Sequence, residues 1–462
     1  MDTLPELTPD LLIAYDRPGP RYTSYPTADR FNADFDVAAY EDVLRCANAE
    51  RPGDPLSVYI HLPFCESLCT YCGCNVVISK SERSRARYLE RLALEMARVA
   101  ALLPDRREVV QLHLGGGTPN SFSDEELATM MASLLTHFHL AQGAEVAIEV
   151  DPRHATVARL EHLYRLGFNR LSMGVQDFDP RVQASVNRIC SFRQVKSLVD
   201  GARALGFRSV NLDLIYGLPF QGLQAFQRTK AKVLALRPDR IALYSFAWIP
   251  WVRPQQKKID PETLPSRDEK VAIFCDARAT FEADYHAIGM DHFALPGDEL
   301  SLAQTAGTLR RNFQGYTTLP VQDVLGFGVS AIGDIGGAYA ANAKRLHAWN
   351  RAIDAGGLAV ERGVKATPDD RVRRYIIHEL MCNLRLDHAA LRERLGVDFE
   401  AYFAEELRIL RETKELAPLI RLADGALELT PLGRLFVRNV ATVFDRHLRD
   451  KRADRPMYSR MV

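Results

Sequence analysis

Residues 56–246 hold six short apolar, β-branched runs separated by five longer amphipathic segments, and this alternation restricts the fold more than any other feature of the chain. The runs are Leu56–Leu62, Val109–Leu114, Glu145–Val150, Arg170–Val175, Ser209–Ile215 and Arg240–Phe246. Helical spacing covers Arg85–Leu103, Asp124–Phe138, Val157–Leu166, Phe192–Leu205 and Leu223–Leu236. Ser123 and Glu126 form a capping box before the second helix, and Gly206 stops the fourth. Strands joined through helices run parallel, because a tight hairpin reverses direction and a crossover does not. Right-handed crossovers then leave an open (β/α) barrel or a doubly wound sheet. In either, chemistry collects at the C-terminal ends of the strands.

The unusual residues fall there. Cys65, Cys69, Cys72 and Cys74 follow the first strand with spacing C-x3-C-x2-C-x-C, half of the eight cysteines in the chain. Gly115-Gly116-Gly117-Thr118-Pro119 closes the second strand, Glu149 and Asp151 the third, and Gln176-Asp177 the fourth. Gly217-Leu218-Pro219 follows Asp213 on the fifth. A structural zinc site wants two separated C-x2-C knuckles, whereas Cys46, Cys190, Cys275 and Cys382 are isolated and read as small buried hydrophobes. A ferredoxin cluster takes four thiolates in a C-x2-C-x2-C run, which is not the spacing here. The remaining reading is a [4Fe–4S] cluster held by three cysteines, with one iron open to a ligand, as open positions distinguish catalytic metals from structural ones.

Composition narrows the setting. Basic and acidic residues balance at 59 each, which argues against duplex nucleic acid or an anionic membrane as a partner. No apolar run approaches the ~20 residues of a membrane helix. The start, Met1 to Glu6, has neither a basic nor an apolar signal region. A cytoplasmic protein is expected, where thiols stay reduced. Residues 1–50 read as an irregular arm with weak helical stretches. Beyond residue 360 the alternation gives way to helices at Asp369–Asn383, His388–Leu395 and Phe399–Thr413, then a short strand at Ala426–Leu429. That order suggests a winged-helix-like domain, with interleaved acidic residues such as Asp369 and Glu405 that favour a solvated face over DNA.

The cysteine spacing, with Tyr71 before the third cysteine and the Gly-Gly-Gly-Thr-Pro loop after, resembles the signature of the radical S-adenosylmethionine (SAM) superfamily. Further landmarks are similar to the oxygen-independent coproporphyrinogen III oxidase family along nearly the whole chain. They include Arg21–Thr27, Tyr59–Cys65, Leu171–Phe178, Asp213–Pro219, Gly289–Phe293 and Arg311–Thr318. The resemblance implies an α/β fold. Its parts are a radical SAM partial (β/α)6-type barrel over residues 51–355, an N-terminal arm over 1–50, and a mainly helical, winged-helix-like domain over 356–462. It implies a [4Fe–4S] cluster on Cys65, Cys69 and Cys72, and two SAM molecules. Tyr59, Cys74, Gly116, Glu149 and Ile332 match positions around the SAM on the cluster, with Tyr59 and Glu149 as catalytic candidates. Tyr71, Gly117, Thr118, Gln176, Arg188, Asp213 and Ala247 match positions around the second.

The implied reaction converts two propionates of coproporphyrinogen III to vinyls with loss of CO2, giving protoporphyrinogen IX; a 5′-deoxyadenosyl radical from SAM takes the hydrogen. A reductant such as flavodoxin or ferredoxin is implied, and a monomer suffices. Four substrate carboxylates call for cationic clamps, and Arg17, Arg21 and Arg311 are candidates, with the arm closing over the substrate. A haem-binding chaperone of the same superfamily is the rival reading, expected to lack the Arg311–Thr318 segment that is present here. His61 is placed beside the cluster ligands, while His113 and His292 read as ordinary satisfied polar groups.

Overall fold

The computed structural model of the chain describes residues 9–17, 19–320 and 323–449, so the start at Met1–Glu6 lies outside the described residues. It divides into two units, one of residues 30–264 and 321–365, the other of 1–29, 265–320 and 366–462.

The first unit carries the alternation. Strands β1 (Leu56–Leu62), β2 (Glu108–Gly116), β3 (His139–Val150), β4 (Arg170–Gln176), β5 (Ser209–Tyr216) and β6 (Arg240–Ser245) pair in sequence order and all run parallel. Helices α1 (Val37–Glu50), α2 (Glu82–Leu102), α3 (Asp124–His137), α4 (Val157–Arg165), α5 (Phe192–Leu205) and α6 (Leu223–Leu236) belong to the same unit. The strands fully bury one face, where Val58, Ile60, Leu112, Leu114, Ile148 and Leu212 are closed off from solvent, and leave alternate residues of the other face half-buried. Because each strand lies beside its predecessor in the same direction, all six C-terminal ends share one rim. The Ser123–Glu126 capping box forms, and Gly206 caps α5 at φ +92°. This is the partial barrel expected.

It is wider than the alternation shows. On the free edge of β1 lies β7 (Val324–Phe327), parallel to it, followed by antiparallel β8 (Ile332–Ile335), β9 (Ala338–Asn342) and β10 (Val360–Lys365). Gly326 allows the turn back, since a Cβ there would meet the Ile332 carbonyl at 2.7 Å. Asp323, just ahead of β7, accepts from Arg106 at 2.7 Å, Arg51 at 2.6 Å and the Gly336 amide at 3.1 Å. Arg106 is 1% exposed. Removing one partner of a buried pair leaves the other charge uncompensated, so Asp323→Ala is expected to cost about 3–5 kcal/mol. Differential scanning calorimetry should then show the melting midpoint lowered by roughly 3–8 °C.

The second unit is mainly helical, with Pro368–Asn383, His388–Leu395, Phe399–Tyr402 and Ala404–Glu412 beside a small antiparallel sheet of Arg385–Asp387, Ala426–Leu429 and Ile420–Ala423. The 1–50 arm is not a single element. Leu12, Tyr15, Tyr22 and Tyr25 are buried in the helical core of this unit, and the Tyr22 hydroxyl donates to Asp445 at 3.0 Å. Residues 37–50 instead form α1, a regular fourteen-residue helix of the barrel unit with Asp36 as its N-cap. The boundaries expected at residues 50 and 355 therefore fall elsewhere, because aromatic burial ties 9–29 to the helices. Cys46 is exposed on α1, contrary to its reading as a buried hydrophobe; Cys190 and Cys382 are buried and Cys275 partly so.

Candidate active site

The cysteine loop leaves β1 at Pro63 and is held at nearly every turn. Phe64–Cys65 pairs with Val77–Ile78 in parallel, closing the loop on itself. The Gly117 amide donates to the Leu62 carbonyl at 2.8 Å and the Thr118 amide to Phe64 at 2.9 Å. From further along the rim, Asn187 Nδ2 donates to the Leu68 carbonyl at 2.9 Å, Gln256 Nε2 to Tyr71 at 3.2 Å and Gln255 Nε2 to Cys72 at 2.6 Å. These amides hold main-chain carbonyls, so nothing in their sequence context marks them.

Each of the three proposed ligand sulfurs receives a donor. The Thr118 hydroxyl reaches Cys65 Sγ at 3.2 Å, the Cys74 amide reaches Cys72 Sγ at 3.4 Å, and Arg153 and Arg188 reach Cys69 Sγ at 3.5 and 3.6 Å. Donors aimed at sulfur fit thiolates rather than thiols. Among the described residues no three His, Cys, Asp or Glu side chains close round one ion-sized position; the fit to a cluster is carried by these donors. Burial pushes the Cys65 thiol up to about 11, against the Thr118 hydrogen bond. Cys72 and Cys74 divide a proton unequally: the Cys74 side chain donates to Cys72, lowering Cys72 and raising Cys74. Cys74 thus stays a neutral thiol beside a thiolate.

The glycine loop is shaped by close approach. A Cβ on Gly115 would meet Glu149 Oε1 at 2.8 Å, one on Gly116 the His61 ring at 2.7 Å, and one on Gly117 the Pro63 carbonyl at 2.5 Å. Gly116 also sits at φ +116°, open to glycine alone. Glu149 accepts the Gly116 amide at 3.1 Å, and His113 Nε2 lies 3.5 Å from its other oxygen. Its side chain lies deep in the protein yet keeps 43% of its surface open to solvent. Burial would raise its carboxyl, but His113, the Gly116 amide and His61 outweigh that and hold it below the usual carboxylate range. His113 also stacks on Tyr59, rings 5.9 Å apart, so it belongs to the site that the sequence reading left it out of.

Tyr59 completes this corner. Its hydroxyl pairs with His61 Nδ1 at 3.0 Å while His61 Nε2 meets the Asn75 carbonyl at 3.0 Å. Burial lowers His61, so the neutral ring donates through Nε2 and accepts from the phenol. Burial likewise raises Tyr59 well above its ordinary value, keeping it a phenol.

At the next strand ends, Gln176 stands at φ +70° with a buried amide oxygen that has no hydrogen-bond partner. A strained residue with an orphaned acceptor marks a place prepared for a donor. Gly174 makes room, since a Cβ there would meet Arg188 Nη2 at 2.7 Å and Gln176 Nε2 at 2.8 Å. Arg188 donates to the Gly174 carbonyl at 2.9 Å and to Asp151 at 3.0 Å. Asp213 accepts from Ser172 at 3.1 Å and Asn211 at 2.8 Å. Ala247 is exposed after β6, its carbonyl 3.1 Å from Gln256 Nε2, and Ile332 opens β8. Tyr71 packs on the Val182, Val186 and Leu218 cluster.

In the helical unit, Arg311 donates to the Arg21 carbonyl and its guanidinium lies 5.1 Å from the Tyr316 ring; Arg21 is 3.5 Å from Asp291 and 40% exposed. Arg17 is exposed. His292 pairs with Asp291 at 2.7 Å, the satisfied polar role expected of it.

Known proteins are similar to this chain over nearly its whole length. A family model described as the radical SAM superfamily matches residues 59–233, and one described as the HemN C-terminal domain matches 366–436. The oxygen-independent coproporphyrinogen III oxidase of Synechocystis is 42% identical over 462 residues, covering 99% of this chain and 98% of its own. That of Escherichia coli is 42% identical over 453 residues, covering 98% of each. The solved coproporphyrinogen III oxidase (HemN) of Escherichia coli, described as a radical SAM enzyme, superposes with a TM-score of 0.88 at 42% identity, over 92% of this chain and 97% of that one.

Proposed function

The chain belongs to the oxygen-independent coproporphyrinogen III oxidases, a radical SAM family, and we propose from this that Cys65, Cys69 and Cys72 hold its cluster while Tyr59, Glu149 and the glycine loop hold SAM against it. It is an oxidoreductase of haem biosynthesis, using a [4Fe–4S] cluster and SAM to convert propionates of coproporphyrinogen III to vinyls with release of CO2. The observation that carries the division of roles is the set of donors aimed at three sulfurs, one strand from a glycine loop with no room for a Cβ.

When bound, the cluster and SAM supply the electron transfer and hydrogen abstraction that no side chain here can perform. The protein positions. Ionised Glu149 offers an acceptor for the ammonium or ribose hydroxyls of SAM. Tyr59, its hydroxyl donating a hydrogen bond to His61 Nδ1, keeps lone pairs of its oxygen for SAM. Gly116 and Gly117 let the backbone approach, with Cys74 and Ile332 as packing neighbours. Tyr71, Gly117, Thr118, Gln176, Arg188, Asp213 and Ala247 surround the second SAM, where the unpaired Gln176 oxygen supports a ligand. At Gly116 an alanine carries the strain of a forbidden backbone angle, about 1–3 kcal/mol. Relieving that strain would shift the loop away from the SAM position, so Gly116→Ala should weaken SAM binding by up to roughly 5- to 150-fold by equilibrium titration, with iron content unchanged.

Arg17, Arg21 and Arg311 remain the proposed clamps for substrate carboxylates, the first two carried by residues 9–29. Deleting these residues would strip Tyr15, Tyr22 and Tyr25 from the helical core, so the informative variant is Arg21→Ala, read as KM for coproporphyrinogen III. A cytoplasmic monomer reduced by a flavodoxin or ferredoxin fits this reading; among the described residues no helix is long and apolar enough to cross a membrane. The deciding experiment is anaerobic incubation of the reconstituted protein with SAM, dithionite and coproporphyrinogen III. Formation of 5′-deoxyadenosine and CO2 is expected. Haem binding without CO2 would instead make it a binding protein.

A further inference from the structure

We propose that Arg153 raises the reduction potential of the cluster through its contact with Cys69, a role that rests on Cys65, Cys69 and Cys72 being the ligands. Arg153 lies two residues beyond Asp151, in the short turn after β3. Its Nη2 is 3.5 Å from Cys69 Sγ. Two anchors fix that contact. Asp151 accepts from Nη2 at 2.7 Å and from Nε at 3.1 Å, and the Asn187 carbonyl accepts from Nη1 at 3.0 Å. Arg188 reaches the same sulfur at 3.6 Å and the same carboxylate at 3.0 Å.

The clasp is out of water: the side chains of Asp151, Arg153 and Arg188 are 4%, 16% and 10% exposed. Two guanidinium groups and one carboxylate leave a net positive charge at one sulfur, poorly screened at that depth. Cys65 and Cys72 receive a neutral hydroxyl and a neutral amide, so the field is lopsided toward Cys69. Reduction adds an electron to the cluster, and hydrogen bonds to its sulfurs and nearby positive charge favour that state. Arg188 is already committed to the Gly174 carbonyl and the second SAM. Arg153 has partners only in the turn, the loop and the sulfur, so it is a positioning and tuning residue rather than a catalytic one.

Asp151 also caps the turn through the Arg153 amide at 3.0 Å, so a purely structural role must be separated from an electrostatic one. The test is a spectroelectrochemical titration of the reconstituted protein, without SAM or substrate. Arg153→Met keeps the stem and removes charge and donors. It should lower the midpoint so that the reduced fraction at fixed potential falls about tenfold, ~59 mV for one electron. Arg153→Lys should fall between wild type and Met, and Asp151→Asn, which removes the opposing charge, should move the midpoint upward. A full complement of iron and sulfide in Arg153→Met with an unmoved midpoint overturns the proposal. So does a shift of Met and Asn variants in the same direction, which would be disorder rather than charge. If Arg153→Met cannot hold a cluster, the opposite signs for Lys and Asn decide alone. Wild type lacking iron and sulfide would overturn the ligand assignment itself.

Discussion

Reconstituted anaerobically with iron and sulfide, the Cys65→Ala, Cys69→Ala and Cys72→Ala proteins are each expected to lose the visible absorbance of the cluster and to cleave no SAM, whereas Cys74→Ser keeps both. The asymmetry follows from what each sulfur receives. Three accept a hydroxyl, guanidinium or amide proton, Cys69 also approaching the Asn187 carbonyl at 3.8 Å, and Cys74 gives one, to Cys72. Serine retains a donor at that place, so the loop should keep its shape. Alanine at a ligand position leaves two sulfurs, too few to hold the cluster against chelation. Loss of the cluster in Cys74→Ser would make that residue a fourth ligand and close the iron that the reading leaves open. Iron and sulfide analysis beside the absorbance spectrum distinguishes the cases.

Much of this site was legible in the chain because its parts repeat a local rule. Strands and helices each follow a simple periodicity, so the strand Leu56–Leu62 and the helices Phe192–Leu205 and Leu223–Leu236 are found with the bounds their patterns predict. The special residues then stand at the strand ends by topology alone. Gly115–Gly117 shows the step from pattern to cause. A glycine run says only that side chains are unwelcome, and the structure names what each Cβ would strike: Glu149, His61 and Pro63.

What escaped has no local rule. Strands β7 to β10 are short and interrupted by Gly326, Gly333 and Gly363, which lowers their β character to the level of a loop. Arg153, Gln255 and Gln256 act through a sulfur or through main-chain carbonyls far away in sequence, and no spacing encodes that. His113 looked ordinary because a histidine on a strand usually is; only the fold puts it between Tyr59 and Glu149. The arm misled for a related reason. Its prolines and glycines break helical periodicity, yet its tyrosines are as buried as any core residue, and burial is not written in the neighbours of a residue.

Glu149→Gln is expected to weaken SAM binding about 10- to 100-fold, the loss of one charged hydrogen bond of about 1.5–3 kcal/mol. The variant is nearly isosteric, so it tests the charge rather than the space. The charge is there to be lost over the whole working range. Burial pushes the carboxyl up, but His113, the Gly116 amide and His61 bring it below its ordinary value. A group depressed in the folded state contributes what its charge contributes at every pH above the ordinary value of about 4.3, and loses it only as pH falls through the lower one. Wild-type affinity for SAM should thus stay level from about pH 8 to about pH 5 and acquire its Glu149 limb only below. His61 adds no limb of its own near neutrality, because burial holds the ring neutral there. A carboxamide in place of the Glu149 carboxylate cannot titrate, so the variant should bind weakly and without that acid limb. Equal affinity in the two proteins would show that the carboxylate serves the glycine loop, through the Gly116 amide, and leaves SAM to be held by Tyr59 and the backbone.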